Sequence, residues 1–93
     1  MASGTKKILV VDDEYEIVEI VKAVLKTKGY QIIVAYDGEE GYNQMVKERP
    51  DLLVSDLRMP KMSGLELVKK VRANPDVAQT PILIISSLMQ GID

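Results

Sequence analysis

Four short apolar runs set the limits on what this chain can fold into: Ile8-Leu9-Val10-Val11, Gln31-Ile32-Ile33-Val34-Ala35, Leu52-Leu53-Val54 and Ile82-Leu83-Ile84-Ile85. Each has the length of a strand and is apolar almost throughout rather than alternating, the pattern of a strand covered on both faces, as in a parallel sheet. The segments between them have helical spacing. Ile17, Ile20, Val21, Val24 and Leu25 mark the first, with Asp13 as its expected cap, Glu14 and Glu16 in its first turn, and Gly29 as its stop. The second, over residues 39–48, has Tyr42, Met45 and Val46 as its apolar stripe, and Gly41 inside it costs ~1 kcal/mol against Ala. Leu65, Leu67, Val68 and Val71 mark the third, closed by Asn74-Pro75. The order β-α-β-α-β-α-β with tight connections predicts right-handed crossovers and helices on both faces of a parallel sheet.

In such sheets the functional crevice lies beyond the C-terminal ends of the strands. Here the first run leads into Asp12-Asp13-Glu14, the third into Ser55-Asp56, and the fourth into Ser86-Ser87. Taken singly, each has a plain reading: Asp12 or Asp13 as a helix cap, Asp56 as the opening of a loop, Ser86 as a strand-end residue. Gathered at one end of a sheet, the carboxylates raise each other's pKa unless a cation intervenes. An all-oxygen site suits Mg²⁺, which needs few protein carboxylates and retains several waters. A carboxylate beside that ion can act as a nucleophile towards phosphorus.

Composition removes several alternatives. The chain has 93 residues, enough for one small domain, with neither histidine nor cysteine. Disulfide frameworks, thiol catalysis, thiolate-bound zinc and histidine-based hydrolase triads are excluded. Apolar content of 46% and charged content of 28% fit a globular domain rather than a disordered chain. Net charge is −2 with scattered lysines, so no positive stripe for nucleic acid is built. The loop after the first strand is acidic and carries no G-x-G-x-x-G or Walker pattern, which argues against a nucleotide or flavin site. The apolar runs are too short to span a bilayer and no signal-peptide pattern opens the chain, so a cytoplasmic location is expected. Residues 1–5 are read as a disordered leader and residues 6–93 as the domain.

With Val10-Val11-Asp12-Asp13-Glu14 after the first strand and Asp56-Leu57-Arg58-Met59-Pro60-Lys61-Met62-Ser63-Gly64 after the third, the chain closely resembles the receiver domain of two-component response regulators. The resemblance implies a flavodoxin-like, doubly wound parallel sheet of strand order 2-1-3-4. Receivers continue with a further helix, strand and helix, which the expected fold of these residues lacks. It further implies Asp56 as phosphoacceptor from a histidine kinase or phosphotransfer protein. Asp12, Asp13, Asp56 and the Arg58 backbone carbonyl would hold Mg²⁺, and Ser86 would be the switch hydroxyl. Pro60 and Gly64 would shape the loop. A phosphoacceptor of this kind is not an enzyme beyond self-phosphotransfer and autodephosphorylation. A phosphatase with an Asp nucleophile is disfavoured, because its general acid would stand at Arg58. The alternative reading is a self-associating structural module with an incomplete site, pairing through the Ile82–Ile85 edge.

Overall fold

The structure is a computed structural model and describes residues 5–85. Strands β1 (Lys7–Val11), β2 (Gln31–Ala35), β3 (Leu52–Asp56) and β4 (Ile82–Ile85) alternate with helices α1 (Tyr15–Lys26), α2 (Gly38–Glu48) and α3 (Gly64–Ala73). The sheet is parallel throughout with the expected order β2-β1-β3-β4. Val11 pairs with Ala35 on one side and Ser55 on the other, while Asp56 pairs with Ile85. The register therefore brings the C-terminal ends of β1 and β3 side by side, each followed by its carboxylates.

Alternation along the strands sends side chains to two cores. Leu9, Val11, Ala35 and Leu53 meet Met45 of α2 and Leu67 and Val71 of α3 on one face. Ile8, Val10 and Val54 meet Val21 and Leu25 of α1 on the other. Val77, in the α3–β4 connection, joins the first core and is 2% exposed. Arg72 ties down that connection, donating from Nη1 to the carbonyls of Ala78 and Thr80, both at 2.7 Å.

One expectation needs correction and two are sharpened. The N-cap of α1 is Glu14 rather than Asp13, and its side chain makes no capping hydrogen bond. The cause is Asp12, whose Oδ1 accepts the Glu14 amide at 2.9 Å and turns the chain once more before the helix begins. The buried stripe of α1 is Val18, Val21 and Leu25, whereas Ile17, Ile20 and Val24 lie on the exposed flank, with Ile20 60% exposed. A helix packed across β1 and β2 buries one narrow stripe, and the sequence offers more apolar positions than that stripe can use. Of the apolar positions that mark α3, Leu65 is likewise exposed.

Candidate functional site: an acidic cluster at the strand ends

Asp12 follows β1 directly and stays in the ladder, its amide donating to the Ala35 carbonyl at 3.2 Å. Asp56 is the last residue of β3. Both are held where the apolar strands end, so both are buried, at 3% and 4% exposure, while Asp13 is exposed. One carboxylate oxygen from each of Asp12, Asp13 and Asp56 lies within 4.8 Å of the others. The structure thus brings together the three acids that the sequence singles out.

Two backbone amides fix the buried pair. Glu14 N–H donates to Asp12 Oδ1, and Leu57 N–H donates to Asp56 Oδ1, each at 2.9 Å. Burial pushes the Asp12 carboxyl up from 3.8 to about 6. The Glu14 amide opposes that rise, and the charges of Asp56, Asp13 and Glu14 add to it. A cluster in which burial and like charge both disfavour ionisation is one that a cation relieves. Three carboxylates and no nitrogen or sulfur donor are the ligand set of a hard ion such as Mg²⁺, and on this chemistry the residues fit one.

The loop after Asp56 folds back on the strand that carries it. Gly64 N–H donates to the Leu57 carbonyl at 2.8 Å. A Cβ at Gly64 would collide with the Asp56 carbonyl oxygen and press on Leu57 Cα at 3.1 Å. Only glycine lets the start of α3 sit this close to the acid. Ser63 caps that helix in a reciprocal capping box with Glu66. Between them Met62 N–H donates to the Pro60 carbonyl at 2.7 Å across Lys61, which sits at φ 70°, the signature of a tight, strained three-residue turn.

The family resemblance implies a loop-shaping part for Gly64; that a Cβ there would collide with Asp56 is visible only in the backbone geometry. The Leu57 amide carried no sequence signal, since every residue but proline has one. The Arg58 side chain is exposed. Ser86, the expected switch hydroxyl, lies outside the described residues.

Comparison with known proteins identifies the family and the fold. The family model described as the response regulator receiver domain matches residues 8–91. The alkaline phosphatase synthesis transcriptional regulatory protein PhoP of Bacillus subtilis is 41% identical over 88 residues, covering 95% of this chain and 36% of that protein. The transcriptional regulatory protein CrdR of Helicobacter pylori is 37% identical over 86 residues, 92% of this chain and 40% of its own length. The chain therefore spans two-fifths or less of these relatives. Among solved structures, the chemotaxis response regulator CheY4 of Vibrio cholerae superposes with a TM-score of 0.83 at 40% identity, covering 86% of this chain and 67% of that one. A response regulator receiver protein from Pseudomonas putida gives 0.84 at 29% identity, covering 97% and 77%. From the sheet order, the acidic strand ends and these likenesses together, the chain belongs to the response regulator receiver domain family of two-component signalling.

Proposed function

We propose that Asp56 is the phosphoacceptor of this receiver domain and that Asp12, Asp13, Asp56 and the Arg58 carbonyl hold Mg²⁺ beside it. The observation that carries this reading is the convergence of three carboxylates within 4.8 Å, one of them at the end of a buried central strand. In the transfer, an Asp56 carboxylate oxygen forms the new bond to phosphorus as the donor's bond to phosphorus breaks. The Leu57 amide holds Oδ1 of that carboxylate, which fixes its orientation before the donor arrives and lowers the entropic cost of attack. Mg²⁺ would offset negative charge gathering on the phosphoryl oxygens. The donor is a histidine kinase or phosphotransfer protein, and Ser86 is assigned to report the phosphoryl group.

A small-molecule phosphodonor with Mg²⁺ should give a base-labile mass gain of one phosphoryl group, absent in Asp56→Asn and absent without the metal. A gain that persists in Asp56→Asn would overturn the assignment.

Self-association through β4 is a further part of the reading. Among the described residues β4 pairs with β3 alone, and Leu83 is 52% exposed, so the strand presents a template for pairing with another copy. Light scattering over a wide concentration range tests this; a monomer at every concentration would remove it. No described helix is long and apolar enough to cross a membrane.

A further inference from the structure

The loop that carries Arg58 is pinned at its base by Gly64 on Asp56. At its far end it rests on a different element. A Cβ at Gly38, the first residue of α2, would meet Met62 Cβ at 2.8 Å, Met62 Cγ at 2.9 Å and the Met62 carbonyl oxygen at 3.0 Å. None of these is the free end of a flexible side chain, so nothing can swing away to make room. The platform under Met62 is itself rigidly held. Asp37 Oδ1 accepts the Glu40 amide at 2.7 Å, and Glu40 Oε1 accepts the Tyr36 amide at 2.8 Å, so the end of β2 and the start of α2 are laced together. Met62 and Met59 also pack against the core on that face.

We propose that Gly38 and Met62 are positioning residues for the acidic cluster: α2 buttresses the strained turn at Lys61 and so sets how the segment Leu57 to Lys61 lies against Asp56. The inference rests on the Mg²⁺ reading above, because the group it positions is the loop bearing the Arg58 carbonyl. A methyl at Gly38 has one direction in which to push Met62, away from α2. That displaces a turn already held at positive φ, whose other end abuts the metal site. Neither residue is one of the three clustered acids, and the route from Gly38 to the site runs through Met62 and the loop.

The test is a Mg²⁺ titration followed by backbone amide shifts, on the wild-type chain, Gly38→Ala, Met62→Gly, the double variant and Met45→Ala. Met45 is fully buried in the same helix and core, and its truncation loosens that core without adding an atom at the Gly38–Met62 approach. Each titration is run at a temperature where that variant is folded. We expect Gly38→Ala and Met62→Gly each to weaken Mg²⁺ binding by roughly tenfold, the lower end of what disturbing the support of a metal ligand costs. The double variant should be no weaker than Gly38→Ala alone, because removing the Met62 side chain clears the two closest approaches, at 2.8 and 2.9 Å, and leaves only the carbonyl oxygen at 3.0 Å; such non-additivity is the mark of direct coupling. Met45→Ala should bind as wild type. Wild-type affinity in Gly38→Ala, or an equal loss in Met45→Ala, overturns the inference. If Gly38→Ala does not fold, Met62→Gly decides alone, and undiminished binding there overturns it as well. A wild-type chain that binds no Mg²⁺ overturns the metal reading itself, and this inference with it.

Discussion

The two faces of the sheet are written in the same apolar residues and are finished very differently. Behind Leu9, Val11 and Leu53 stand two helices, and every one of these side chains, with Met45, Leu67 and Val71, is fully buried. Both helices there begin with side-chain caps, Asp37 on α2 and Ser63 on α3. On the opposite face α1 stands on β1 and β2, begins without a side-chain cap, and leaves Ile20 60%, Val24 54% and Leu83 52% exposed. A continuous apolar strand declares that both of its faces are meant to be covered. The first face shows what that covering looks like. The second shows apolar area among the described residues that α1 does not reach.

The largest effect that would test this contrast lies in the core itself. Leu53→Ala empties a fully buried site on the two-helix face and should cost ~2–5 kcal/mol in a denaturant titration. Leu83→Ala, on the one-helix face, should cost under about 1 kcal/mol because half of that side chain is already wet. Equal costs would show that the two faces are closed to the same degree, and the contrast would fail.

Asp12 sits at the rim where both faces end, and its titration is the next effect in size. Its carboxyl titrates at about 6 in the folded chain against 3.8 unfolded. Between those values the folded state binds more proton than the unfolded, so stability is greatest below about pH 4 as far as this group is concerned. It is lost as pH rises through about 6. The full loss is at most roughly 3 kcal/mol at 1.36 kcal/mol per pH unit, and less because water screens the cluster on its exposed Asp13 side. Unfolding midpoints measured in chelator from pH 4 to 7 should show this slope, and Asp12→Asn should flatten it. Saturating Mg²⁺ should restore stability at pH 7. A chelated protein whose stability climbs over that range, in step with Asp12→Asn, would show that Asp12 is not held up by burial.

A smaller effect separates the helices. Ser63→Ala removes one half of the reciprocal box that opens α3 and should lower stability by ~1 kcal/mol. Because Gly64 follows directly and packs on Asp56, this fraying should also speed amide exchange at the start of α3 more than anywhere in α1. Uniform exchange across both helices would mean that the cap does not anchor the loop.

These effects also mark what was legible in the sequence. Strand positions and the meeting of Asp12, Asp13 and Asp56 follow from apolar runs that end in carboxylates, because a parallel sheet sends all those ends the same way; the strand order rests on the family resemblance, since the runs alone do not say which strands are neighbours. The start of α1 was misplaced, since Asp12 and Asp13 are equally good caps on paper. Which of them turns the chain depends on where β1 releases it. The helical spacing of α1 leaves its buried stripe open for a related reason: Val18 and Ile17 are one residue apart, and helical period alone does not say which faces the sheet when apolar residues fill half the wheel. Val77 had no periodic signal at all, being a loop residue buried by the way Arg72 ties down its connection. The Gly38–Met62 approach joins residues distant in sequence through two loops, and only the assembled backbone contains it.

The smallest expected effect on stability bears most directly on the open face. Ile20→Lys and Leu83→Lys replace side chains that are more than half exposed, so each should shift the unfolding free energy by no more than about 0.5 kcal/mol. Their effect on association should be unequal. Leu83 lies on β4, whose outer edge pairs with nothing among the described residues, and a lysine there blocks strand addition in the way natural edges do. Ile20 lies on α1, away from that edge. If copies pair through β4, Leu83→Lys should abolish the concentration-dependent rise in mass and Ile20→Lys should leave it in place. The reverse pattern would move the contact to the flank of α1, and with it the reading of which part of the open face another chain can cover.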